Sequence, residues 1–250
     1  MSRREGVALP ALGVVVLLAA WEGVARSGVI PMSLIPAPSA VPAALVSEIR
    51  VGVWPAMVAA SLSHYLTGLF AGSLLGVSFG AAAAQWPRYD ALQSWIVRTL
   101  RPIPAIAWIP FAIIWFGVSE TAAAFLIALT VFWINYFAAY AAVRGVDKDL
   151  IELGHAFGHG GWFASLFKIV LPGALPGIMS GLRAGLGQGW MTVVAAELFG
   201  IPGVGMRMME ASGLLATHVV VLYMATIALL YGVSDFLFMT VERRVLAWRR

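Results

Sequence analysis

His155 and His159 stand four residues apart, a spacing that on a helix places both imidazoles on one face, as in helix-borne zinc sites. Three features argue against a metal centre. No H-E-x-x-H pattern accompanies the pair, Gly154, Gly158, Gly160 and Gly161 interrupt any continuous helix, and no third ligand lies nearby. These rings read as solvated or as contacts for a partner. Nucleotide hydrolysis is excluded on similar grounds, because a phosphate-binding loop needs G-x-x-x-x-G-K followed by serine or threonine. The two lysines, Lys148 between aspartates and Lys168 before isoleucine, satisfy no such pattern. With no cysteine, thiolate and disulfide chemistry are absent, and a chain this poor in catalytic groups reads as no enzyme.

The ionisable residues instead suggest transport. Arg183 and Glu197 fall at opposite ends of one apolar run, and charge inside a membrane is costly enough to mark function. Arg183 either snorkels toward headgroups or faces a path for an anion. Glu197, like Glu22, lies at an interface or takes part in transport. Trp190, Met206 and Met209 are positioned to line the outer part of such a path together with Arg183 and Glu197. An ion-coupled carrier should hold carboxylates near mid-span, whereas here Asp235 is the main example, so that reading is secondary.

The elements that carry these residues are membrane helices. The 250 residues are 61% hydrophobic and 11% charged, with a mean hydropathy of +0.89, far from the balance of a soluble domain. An all-α, polytopic membrane protein with six spans follows from runs of about 20 apolar residues. They cover about 7–25, 62–84, 92–116, 121–143, 176–198 and 219–241, in a single domain covering 1–250. The first reads as an anchor, since no clear A-x-A cleavage site follows it. The third is interrupted by Pro102, Pro104 and Pro110, with Arg98 and Arg101 in its inner half. It is either a helix that starts late or a kinked, pore-lining span. A short helix is expected around Ala43 to Val51 after a proline-rich stretch.

Net charge is +4, yet the basic residues sit between apolar runs without interleaved aromatics, so they report topology and not nucleic-acid binding. Arg3, Arg4, Arg88, Arg144, Lys148, Lys168, Arg243, Arg244, Arg249 and Arg250 are cytoplasmic if both termini are, against Arg26, Arg50 and Arg207 outside. The segment 144–175 is then a cytoplasmic loop. Gly68, Gly72, Gly76 and Gly80 in the second span, and Gly173, Gly177, Gly181, Gly185 and Gly189 in the fifth, recur every fourth residue. That spacing lets helix backbones approach closely, so both spans should be buried in the bundle.

Several motifs together give a family resemblance: Leu34-Ile-Pro-Ala-Pro38, Arg101-Pro-Ile-Pro-Ala-Ile-Ala-Trp-Ile-Pro110, Ile114-Trp-Phe-Gly117, Leu171-Pro-Gly-Ala-Leu-Pro176, Gly181-Leu-Arg183, Val194-Ala-Ala-Glu-Leu198 and Leu215-Ala-Thr-His-Val-Val-Val-Leu222. The chain resembles the permease subunits of bacterial ABC importers, nearest to those for taurine, aliphatic sulfonates and nitrate. This implies the type I importer permease fold, an inner-membrane location and a cytoplasmic coupling loop of the form E-A-A-x3-G-x9-I-x-L-P. Glu152, Gly158, Ile169, Leu171 and Pro172 match it, while Leu153 and Gly154 replace the alanines and one residue is added after Gly158. Trp162 and Phe163, with Leu166 and Phe167, offer an apolar face for a partner's groove. The resemblance further implies a second permease copy, two ATPase subunits that carry ATP and Mg, and an extracytoplasmic binding protein, with no cofactor on this chain. Sulfonates are favoured as cargo, with nitrate, bicarbonate and thiamine precursors as alternatives.

Overall fold

The computed structural model describes residues 5–31 and 33–249, and among them there are helices and no strands. Arg3, Arg4 and Arg250 of the charge pattern lie outside the described residues. In chain order the helices are α1 (Glu5–Arg26), α2 (Val41–Arg50), α3 (Val53–Gln85), α4 (Pro87–Leu100), α5 (Ile109–Phe116), α6 (Glu120–Arg144), α7 (Lys148–Ala156), α8 (Trp162–Ser165), α9 (Leu171–Glu197), α10 (Val204–Gly213) and α11 (Thr217–Val245).

The bundle is organised around α6, because both glycine ladders pack against it. A Cβ placed on Gly68, Gly72, Gly76 or Gly80 would fall less than 3.0 Å from the carbonyl oxygens of Ala124, Ala128, Phe132 and Tyr136 in turn. Only a residue without a side chain permits that approach. Both series ascend, so α3 and α6 run parallel, and the chain between them must return across the bundle. On another side of α6, Gly177 and Gly181 face Ala142 and Ala138, and Gly185 faces Asn135. This series descends, which makes α9 antiparallel to α6. Tyr65, Ile127, Val131, Leu186, Trp190 and Val193 fill the space where the three helices meet.

The return from α3 to α6 is made by α4 and α5, which break the helix expected over about 92–116. The pair bends by 88° between Leu100 and Ala105. Pro102 and Pro104 lack amide protons and cannot donate to the preceding turn, and Pro104 is extended, with φ −67° and ψ 147°, so the helix does not continue. A 3-10 turn, Ala105–Trp108, restarts the chain into α5, with Pro110 in its first turn. Among the described residues four helices are long and apolar enough to cross a membrane by themselves, or five if the bent pair is one span. At 22 residues α1 is about 33 Å long. Its Glu22 accepts hydrogen bonds from the Ser39 N–H (3.1 Å) and hydroxyl (2.8 Å) and pairs with Arg26, which ties α1 to the turn that precedes α2.

The segment 144–175 is itself largely helical. The helix that carries the fifth span, expected from about 176, extends without a break from Trp162 to Glu197, 36 residues. The sequence Leu166–Val170 forms a π turn, and the Leu171 N–H donates to the Leu166 carbonyl. The wider turn precedes Pro172, which can offer no amide of its own.

Packing through the ladder makes a direct prediction. Gly76→Leu should destabilise the protein by at least about 2 kcal/mol, since its backbone neighbours cannot rotate away. Gly232 faces open space, with nothing within 4 Å of where a Cβ would sit, and should accept leucine at little cost. Thermal unfolding of the two variants in detergent compares them.

Candidate transport path and docking surface

At one end of the bundle, α7 begins where the Asp147 carboxylate accepts from the Asp149 N–H at 3.0 Å. It stops at Gly158, whose φ of +84° suits glycine, with the His159 N–H closing back onto the Gly154 carbonyl at 2.9 Å. Ile151 turns inward to the cluster of Ala139, Val143, Val170, Ala174 and Ile178. The Ile169 side chain abuts Gly154 so closely that a methyl there would overlap it.

Leu150, Leu153, Phe157, Phe163 and Phe167 remain exposed at this end, and Glu152 is exposed beside them. Trp162 is also exposed and makes a contact within the chain. It stacks on Trp86 with ring centroids 5.7 Å apart and so anchors α8 to the end of α3. Phe163, packed edge-on against Trp162 at 4.6 Å, carries the free face. Leu171 and Pro172 are half-buried at the start of α9. Among the described residues no group of three metal-ligating side chains is present, His155 and His159 included.

The five residues expected along the path are not brought together. Arg183 on α9 forms a two-point ion pair with Asp235 on α11, Nε to Oδ1 at 2.7 Å and Nη2 to Oδ2 at 2.9 Å. Its charge is matched in place, as an intramembrane charge requires. Trp190 is buried and stacks on Tyr65 at 4.2 Å, while its indole N–H points to the Ser234 hydroxyl at 3.4 Å. Met206 is half-buried and Met209 exposed on α10.

Glu197 is neither interfacial nor in an open path: its exposure is 0%. Its Oε1 lies 2.5 Å from the Ser61 hydroxyl and 2.7 Å from His64 Nε2, and its Oε2 accepts the Gly205 N–H at 2.5 Å. Ser61 in turn accepts the Val204 N–H at 2.9 Å. A buried carboxylate needs such donors, and these come from α3 and from the first turn of α10. Gly203 keeps a side chain out of the carboxylate's space. Sequence reasoning missed Ser61 and His64; the signal was His64 itself, one rung before Gly68 on the packed stripe of α3.

A second cluster fastens the same end. Arg207 on α10 binds Glu48 on α2 through Nε–Oε2 (3.1 Å) and Nη2–Oε1 (2.6 Å), and the Tyr223 hydroxyl on α11 donates to Glu48 at 2.9 Å. Hydrogen bonds from Arg207 hold the Glu48 carboxyl below its ordinary value, against the opposing effect of burial. The same pair raises the Arg207 guanidinium, which stays charged throughout.

Comparison with known proteins places these features. The family described as "Binding-protein-dependent transport system inner membrane component" matches residues 68–247. The taurine transport system permease protein TauC of Escherichia coli (strain K12) is 33% identical over 99% of this chain and 91% of its own length. SsuC of Bacillus subtilis (strain 168), whose name assigns it to aliphatic sulfonates transport, is 30% identical over 98% of this chain and 87% of its own. The fold is similar to a chain of the MetNI methionine ABC transporter in an inward-facing conformation, with a TM-score of 0.64 and 21% identity over 80% of this chain and 98% of that one.

Two outcomes test the clusters. Glu197→Ala should cost about 3–5 kcal/mol by leaving the donors of Ser61, His64 and Gly205 unmatched, with Glu197→Gln milder, both read from unfolding midpoints in detergent. Because Glu48 is lowered in the folded state, its contribution is present above its unfolded value of about 4.5 and is lost as pH falls through the lower native value. The stability difference between wild type and Glu48→Gln should therefore shrink between about pH 7 and about pH 3.5.

Proposed function

The chain belongs to the binding-protein-dependent transport system inner membrane components, the permease subunits of ABC importers, and we propose that it moves a small organic sulfonate, taurine or a close relative, by alternating access. Family membership brings an ATPase, which uses ATP and Mg, and a substrate-binding protein as partners. This chain is the translocation component and not an enzyme. The names of the two relatives covering nearly its whole length support the sulfonate.

The mechanism rests on one observation: a single helix of 36 residues, about 54 Å long, joins the exposed apolar surface at α7 and α8 to the buried Glu197 at the other end. Movement of an ATPase against Phe163 and its neighbours would be carried along that rod to α10. The positive residues at the α7 end support a cytoplasmic placement for it and for both termini. In this arrangement α1 is the first of six crossings, the bent pair is the third, and a second copy of the permease completes the path. Arg183 is engaged by Asp235, so it stabilises the bundle instead of meeting substrate. Met206 and Met209, near the surface of α10, face the binding protein's side.

Glu152→Ala, and separately Gly158→Ala, should lower uptake per ATP hydrolysed by at least about tenfold in proteoliposomes holding the assembled transporter and its binding protein. Wild-type uptake from either variant at normal expression overturns the coupling role. The ligand kept by the co-purified binding protein, identified by mass spectrometry, should be a sulfonate; nitrate or bicarbonate there would replace the substrate and leave the permease assignment intact.

A further inference from the structure

Two cavities lie end to end along a third face of α6, the one that meets neither glycine ladder. The first, about 410 Å³, is lined by the break between α4 and α5 and by Thr130, Trp133, Gln188, Met191 and Thr192. The second, about 390 Å³, lies nearer the α7 end and is lined by Asp90, Ser94, Arg98 and Tyr140 among others. Thr130, Trp133, Phe137 and Tyr140 follow one another at helical intervals of three and four, so a single stripe of α6 forms the floor of both. Arg101 is the one residue that lines both cavities.

The charge of Arg101 has no match inside the chain. Its guanidinium lies 4.2 Å above the Phe137 ring, and among the described residues no carboxylate is within ion-pair distance of it. Arg183, by contrast, is paired. Asp90, the carboxylate in the second cavity, is already held by the Tyr140 hydroxyl at 2.8 Å and approached by Arg144 at 3.5 Å. Phe137 precedes Arg144 by seven residues, which sets Arg101 about 10 Å from the end of α6, and Thr130 is about 21 Å from it. A face with an arginine that has no ion pair, an exposed glutamine and two threonines, reaching about 21 Å along α6, is poorly suited to lipid. It is suited to an aqueous path.

We propose that Arg101, at the break between α4 and α5, is a binding step for the anionic headgroup of the transported molecule, a sulfonate or carboxylate, passing from the first cavity to the second. The inference rests on the importer reading. A guanidinium offers paired N–H donors to such a headgroup. Thr130 and Thr192 spend their hydroxyl protons within the chain, on the Leu126 carbonyl and on Thr130 or the Gln188 carbonyl, which leaves the donation to the headgroup to Arg101. Trp133 gives the organic part an apolar wall. Arg98, next in line in the second cavity, continues the positive potential.

The absence of native cysteine permits a test that does not need the substrate to be known. Met191→Cys places a thiol in the first cavity, at a position 68% exposed. In the assembled transporter, its rate of modification by 2-sulfonatoethyl methanethiosulfonate is compared with that of the trimethylammonium analogue. Adding Arg101→Gln should lower the sulfonate-to-ammonium rate ratio by about tenfold or more, as a focused charge in a cleft predicts, and Arg101→Lys should largely restore it. An unchanged ratio overturns the proposal, as does protection of the thiol from both reagents. If wild type takes up sulfonate while the ratio ignores Arg101, the binding step alone falls. If the ratio depends on Arg101 but no sulfonate is taken up, the anion step stands and the substrate assignment falls.

Discussion

Backbone contact between α3 and α6 is the constraint on which the rest of the molecule depends. Lipid gives apolar helices no reason to leave it for one another, so association relies on close packing and on hydrogen bonds. Gly68, Gly72, Gly76 and Gly80 let α3 settle against the carbonyl oxygens of α6 along four successive turns. With α9 packed on another side of α6, again through glycines, the third side is left for the bent pair α4/α5 and the cavities beside it.

Polar groups then fix what glycine packing leaves free. The ladders allow α9 to lie against α6, but Glu197 with Ser61 and His64, and Arg183 with Asp235, set how far along it sits and how α10 and α11 join it. The carboxylates of both clusters are matched within the chain, although His64 Nδ1 is buried without a partner among the described residues. Other features stay open: the apolar residues of α7 and α8, and Arg98 and Arg101 before the break, neither of which has an ion pair among the described residues. A bundle with those carboxylates matched and two open chemical surfaces suits a subunit that receives force at one place and passes an anion at another.

Much of this was legible in the sequence where the signal was local. Spacing of glycines every fourth residue announced close packing, because the helical repeat alone puts them on one stripe. Prolines at 102, 104 and 110 announced a break, though not its 88° bend. Trp162, Phe163 and Phe167 were legible as an exposed apolar face, whereas the stacking of Trp162 on Trp86 was not, since Trp86 stands 76 residues earlier, between α3 and α4. Pathway residues fared worst. Trp190 and Glu197 were expected along the path by their position near one end of a span, and both are buried because Tyr65, Ser61 and His64 arrive from α3 to meet them.

Composition and periodicity by themselves determined that this is a helical membrane protein, which helices pack closely, where the chain bends and which end exposes apolar side chains. Motif by motif, the sequence also carried the resemblance to importer permeases. Tertiary structure decided which charges are spent and which are free. The fates of Arg183, Glu197 and Arg101 differ only because Asp235, His64 and Ser61 are brought within hydrogen-bond distance of the first two and no carboxylate is brought to the third. Hydrogen bonds act over about 3 Å, and the residues that meet here are 52 to 136 positions apart along the chain.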